Sequence, residues 1–258
     1  MKSLLKQNSN LSVVQKICLT GLLIALATIC QKVFAINYIP VVPFLRVSIG
    51  GPAIIIFASI FLGPFYGLAV GAFSDLLGYL LFDPKKMGFF PQITAIYALL
   101  GFASYFIYLI FKNIRSKKFL FIIKYSLIIS LLVGVSLFMF LNEEIALYTR
   151  TYSLNFVSRI ITVSVIVALT IITEIVITLL RRNSRVKENI ENLDGINVAL
   201  IIIEVVIMVG FGTLMKGFAF GFETYPAILI CQILVLFFNI PLNLFLISLF
   251  LNLTRKYR

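Results

Sequence analysis

Eight apolar stretches follow one another along the chain, separated only by short polar or basic segments. That pattern leaves few ways to fold. A segment surrounded by hydrocarbon finds no water for its amides, so every N–H and C=O must be bonded internally. Most of the stretches approach the roughly 20 residues a helix needs to cross an apolar core of about 30 Å. Only 12% of the residues are charged and 61% are hydrophobic. An average soluble domain carries roughly 25% charged residues, so this chain could not cover a water-facing surface. The mean hydropathy of +1.08 agrees. The expected fold is an all-α integral membrane protein with about eight spans, forming a single membrane domain over 1–258.

The punctuation predicts the segments. A polar start, 1–12, leads to a helix over 13–35. No small-residue cleavage site follows it, so it reads as a retained helix. Two prolines mark 36–50 as a connection. The block 51–62 stops at Gly63-Pro64 and is too short for a straight crossing, so a short or recessed helix with its ends buried in protein is expected. Spans over 65–82 and 92–111 flank a loop at 83–91. The basic loop 112–118 follows. Spans over 119–141 and 159–180 flank a loop at 142–158. The polar stretch 181–196 precedes the last two spans, 197–215 and 227–251.

Charge orients this series. With the N-terminus in the cytoplasm and alternation through eight spans, 15 of the 22 Lys and Arg fall on the cytoplasmic side. That asymmetry is how topology is encoded, and it predicts a multi-pass cell-membrane protein with both termini in the cytoplasm. The same loops account for the net charge of +12, so no nucleic-acid partner is expected. Cys18, Cys30 and Cys231 lie in apolar stretches without metal spacing, and no metal or cofactor is expected. The chain has no His. The common zinc-enzyme and Ser-His-Asp arrangements are therefore absent, and the chain does not read as an enzyme.

The segment 63–81, GPFYGLAVGAFSDLLGYLL, holds the most unusual helix. Gly67, Gly71 and Gly78 lie on or near one stripe, so a neighbouring helix can approach closely. Asp75 lies one turn beyond Gly71. A buried carboxylate in a membrane is costly, so it needs a partner, such as Ser74, a Tyr or a backbone amide, or a ligand. Anchoring is the first reading and ligand contact the second. For Glu174 and Glu204, structural pairing or a face covered by another protein ranks ahead of proton relay. Gly21 and Ala25, four apart in the first helix, also permit close contact. Two loops carry cations beside aromatics: PFLRVS (43–48), with Arg46, and FDPKKMGFFPQIT (82–94), with Lys85, Lys86, Phe89, Phe90 and Thr94. Such a set can hold a flat anionic ligand or anchor the chain at the interface. Both readings stand on composition.

Residues 43–101 contain PFLR, a short helix, LGP-x-x-G-x-x-x-G-x-x-x-D-x-x-G, and FFP-x-x-T leading into a helix that reaches Gly101. In this order and spacing the stretch resembles the substrate-binding S component of energy-coupling-factor (ECF) vitamin importers, most of all the folate-specific branch. The resemblance implies a six-helix bundle that binds one vitamin on the extracytoplasmic side. It implies partners too: a transmembrane coupling protein and two cytoplasmic ATPases, consistent with the lack of a GxxxxGK phosphate loop. Its small-residue docking motif falls on Gly21 and Ala25. Its ligand contacts point to Arg46, Phe90, Pro91 and Thr94, and Phe44 and Asp75 complete the candidate set.

The sequence departs from the family in having about eight spans, not six, and Gln92 where the family has Gly. One hairpin is therefore extra. The stretch 119–180 is favoured as the addition, with 197–251 as the last family pair, because Pro241 is expected to interrupt the final helix. The reverse assignment would bring Arg159 into the ligand set. The alternative function is a stand-alone secondary transporter of a small anionic or aromatic metabolite, coupled through Asp75, Glu174 and Glu204.

Overall fold

The structure is a computed structural model that describes residues 11–36, 47–48, 50–82, 88–114, 116–142, 144–147, 150–153, 155–182 and 193–254. Among the described residues, seven helices are long and apolar enough to cross a membrane, and one shorter apolar helix joins them. The chain is an all-α membrane bundle. The helices are α1 (Val13–Lys32), α2 (Gly51–Leu62), α3 (Pro64–Phe82), α4 (Pro91–Lys112), α5 (Lys117–Leu141), α6 (Phe156–Arg182), α7 and α8 (Tyr225–Thr254). Helix α7 has three parts: α-helical Leu193–Ile203, a π-helical stretch Glu204–Phe211 and α-helical Gly212–Phe220.

Local chemistry sets most boundaries. Ser12 and Gln15 form a capping box at the start of α1: the Gln15 amide donates to Ser12 Oγ (3.2 Å), and the Ser12 amide donates to Gln15 Oε1 (2.9 Å). Two of the helix's orphan donors are thereby satisfied. Gly63, at φ 113°, separates α2 from α3, a backbone conformation that only glycine adopts readily. Proline is the first residue of both α3 and α4, where its missing N–H costs nothing.

The short helix α2 has ten of its twelve residues buried. At 1.5 Å per residue it is about 18 Å long. It survives in a membrane because α1, α3, α4 and α8 surround it. Two-stranded antiparallel pairs cap the connections: β1 (Ala35–Ile36) with β2 (Val47–Ser48), and β3 (Glu144–Leu147) with β4 (Arg150–Ser153). The second pair corrects the loop expected over 142–158. There the chain forms an antiparallel hairpin, with Glu144 opposite Ser153 and Leu147 opposite Arg150.

The closest helix contact is between α3 and α4. A Cβ added to Gly67 would stand 2.6 Å from the Gly101 carbonyl, and one on Gly101 or Gly71 would overlap the backbone of Gly67 or Tyr97. Without a hydrophobic drive between helices in lipid, such backbone approach is what holds them. The hairpin α5–α6 packs differently. Helix α5 approaches α7, and α6 approaches α8.

Helix α8 corrects the expectation at Pro241: it runs through the proline without interruption. Proline lacks the N–H that would bond the carbonyl four residues earlier. That carbonyl belongs to Phe237, and the Thr173 hydroxyl of α6 donates to it at 2.9 Å. A side chain from a neighbouring helix replaces the missing backbone donor, which is how membrane helices tolerate proline.

Candidate functional site

The strongest polar cluster joins the ends of α1 and α3 to the start of α4. Asp75 is 4% exposed. Lys32 Nζ donates to its Oδ1 at 3.1 Å, and the Thr94 hydroxyl donates to its Oδ2 at 2.7 Å. Beside it, Gln31 Nε2 donates to Ser74 Oγ at 3.1 Å, and the Thr28 hydroxyl lies 3.2 Å from the Ser74 carbonyl. The sequence suggested Ser74, a tyrosine or a backbone amide as the partner of Asp75; it is held instead by a cation from α1 and a hydroxyl from α4. Gly78 makes room for it: a Cβ there would stand 2.7 Å from Lys32 Cγ.

The cluster leaves hydrogen-bonding capacity unused. Gln31 Oε1, Ser48 Oγ and Gln92 Oε1 are buried and have no hydrogen-bond partner among the described residues. Buried polar atoms are nearly always satisfied. Gln31 and Ser48 lie together, since a Cβ added to Gly51 would meet both side chains.

Aromatic rings flank the cluster. Phe90 caps the start of α4 and packs against Phe220 at the end of α7, with ring centroids 4.9 Å apart. Phe89 packs against Tyr79 of α3 at 5.3 Å. Pro91 is exposed as the first residue of α4. Thus Asp75 and Thr94 are bonded directly, and Phe90 and Pro91 lie just before Thr94 on the same helix start. Arg46 and Phe44 lie outside the described residues, as do Lys85 and Lys86. Arg159 serves the hairpin: its Nη1 donates to the Phe140 carbonyl at 3.2 Å, linking α6 to the end of α5.

Lys32, Gln31 and Phe220 escaped the sequence reading. A lysine ending an apolar helix looks like an interfacial anchor, and only the fold sets it opposite an aspartate 43 residues away. Lys216 lies four residues before Phe220 and so on the same face of α7.

Two further acidic residues have partners. Lys124, 5% exposed, pairs with Glu174 across α5 and α6. Glu204 opens the π-helical stretch, is 1% exposed, and accepts from Asn243 Nδ2 of α8 at 2.5 Å. The side chain of Asn197 and the Oδ1 atoms of Asn239 and Asn243 are buried without hydrogen-bond partners among the described residues. On α1, Gly21 and Ala25 are exposed together with Val14 and Cys18, and a Cβ on Gly21 would meet nothing within 4 Å. Searches against protein-family models, curated proteins and solved structures returned no match.

Proposed function

We propose that this chain is the substrate-binding subunit of an ECF-type vitamin importer, with folate as the vitamin. One observation carries the reading: Lys32 and Thr94 both donate to the buried Asp75, Phe90, four residues before Thr94, packs on Phe220, and Gln31 Oε1, Ser48 Oγ and Gln92 Oε1 have no hydrogen-bond partner among the described residues. Folate is a flat heteroaromatic ring with a donor-rich edge and an anionic tail. Rings accept its flat part, and carboxylate, amide and hydroxyl groups match its edge. Arg46, Phe44 and the lysines beside Phe90 in sequence supply the cations and further ring surface for the tail.

In this reading the orientation from the basic loops puts both termini in the cytoplasm and the binding end outside. The exposed stripe of Gly21 and Ala25 then meets the coupling protein, whose two ATPases supply the energy. The hairpin 119–180 is an addition to a six-helix core made by α1–α4, α7 and α8. The test is binding of folate to the purified protein without ATP. Saturable binding is expected. Binding of pantothenate or a queuosine precursor in its place would replace the vitamin and keep the class.

A second reading rests on Glu204. Asp75 and Glu174 each face a lysine, whereas Glu204 has only an amide donor among the described residues. A secondary transporter coupled through Glu204 would accumulate substrate in vesicles that hold no ATPase. The ECF reading expects no such uptake.

A further inference from the structure

A cleft on the outer side of the α5–α6 hairpin carries a different chemistry. Its volume is about 500 Å³, and Tyr125, Ile171, Glu174, Ile175, Thr178 and Leu179 line it. Ile171, Ile175 and Leu179 recur every four residues, so they form one ridge along α6. Each is more than half exposed. The acidic and threonine groups in the cleft are already engaged: Glu174 pairs with Lys124, the Thr178 hydroxyl donates to the Glu174 carbonyl at 2.8 Å, and the hydroxyl of Thr170, which also lines the cleft, donates to the Ile166 carbonyl at 2.8 Å. What the cleft offers a visitor is apolar surface.

One end of that surface is strongly basic. Lys117, Phe121 and Tyr125 follow at four-residue spacing and form a stripe from the start of α5 to the cleft. Phe121 and Tyr125 pack with ring centroids 4.3 Å apart. Lys117 and Lys118 are exposed. Residues 112–125 hold five Lys and Arg and no Asp or Glu. From Lys117 to Tyr125 the helix rises about 12 Å, which separates a phosphate at the helix start from hydrocarbon in the cleft.

We propose that this cleft holds an acyl chain of an anionic phospholipid whose phosphate is bound by Lys117 and Lys118. Basic clusters next to a membrane helix attract anionic lipid, and the aromatic stripe and the isoleucine ridge give one chain a fixed bed. A zwitterionic lipid fits the bed equally but brings its own cation to the lysines.

Native mass spectrometry of the full-length protein, given equal amounts of phosphatidylglycerol and phosphatidylcholine, tests this. Each lysine near the phosphate contributes about 1 kcal/mol, or about fivefold in binding, so one retained phosphatidylglycerol is expected at roughly 25-fold preference. The double variant K117Q/K118Q should bring the preference close to parity. Ile175→Trp, which fills the cleft from an exposed position, should lower retention of phosphatidylglycerol severalfold. Equal retention of both lipids by the unaltered protein overturns the proposal, and so does an unchanged preference in K117Q/K118Q. Phosphatidylglycerol with a photoreactive acyl chain gives a readout without any variant. Crosslinks are expected within 121–125 and 171–179, and crosslinks confined to α1 or α3 would also overturn it.

Discussion

The α3–α4 pair and the α5–α6 hairpin are both antiparallel pairs of helices apolar enough to cross a membrane, yet they are held together by different means. In the first, Gly67, Gly71 and Gly101 bring backbones into contact, and Asp75 and Thr94 bond across the seam. In the second, Gly134 has open space around it and the cross-helix ion pair is Lys124 with Glu174. Only 17% of the most apolar window of α5 is buried, against 61% in α7. The lesson is that apolar composition places a helix in the membrane without deciding what it packs on. Small residues and polar pairs decide that, because lipid is as apolar as the side chains it would replace.

The largest expected effect breaks the first pair. Gly71→Leu drives a side chain into the Tyr97 backbone. A loss of more than about 3 kcal/mol is expected from overpacking a site that cannot relax, read as loss of monodisperse protein in detergent. Gly134→Leu should leave the elution profile and melting temperature unchanged. If both variants behave alike, the contrast between the two regions is wrong.

The next effect breaks the hairpin's ion pair. Lys124→Met leaves Glu174 without its cation. Fully buried pairs lose roughly 3–5 kcal/mol when one partner is removed. Glu174 keeps 24% of its side-chain surface, so about 2 kcal/mol is expected here, measured by thermal melting. The double variant Lys124→Met with Glu174→Met should recover most of the loss. Thr173→Val comes lower, at about 1 kcal/mol, because it strands the Phe237 carbonyl that Pro241 leaves unbonded. The smallest effect on stability belongs to Gly21→Leu, whose side chain enters open space. Under the proposed function its melting temperature and ligand affinity should match the unaltered protein while uptake with a coupling module falls.

Much of this contrast was legible in the sequence. The eight apolar elements, the short α2 ended by Gly63-Pro64 and the close approach at Gly67 and Gly71 follow from spacing and turn chemistry alone. The pairing of Asp75 with Thr94 places two of the sequence's candidates in one cluster. What could not be read was long-range. Lys32 meets Asp75, and Asn243 meets Glu204, only because helices distant in sequence cross there. The continuity of α8 through Pro241 depends on Thr173, a hydroxyl supplied by another helix. The π-helical turn at Glu204 carries no local signal, since its residues are ordinary helix formers in lipid.

In the proposed function, the end of the bundle around Asp75 captures a vitamin. Titrating folate into purified protein in detergent, without ATP or partner proteins, measures it directly. Saturable binding is predicted, with affinity reduced at least about tenfold in Asp75→Asn, as expected when a charged hydrogen-bond partner is lost. Absence of saturable binding of folate, pantothenate and queuosine precursors by folded protein would contradict the account, as would affinity unchanged in Asp75→Asn.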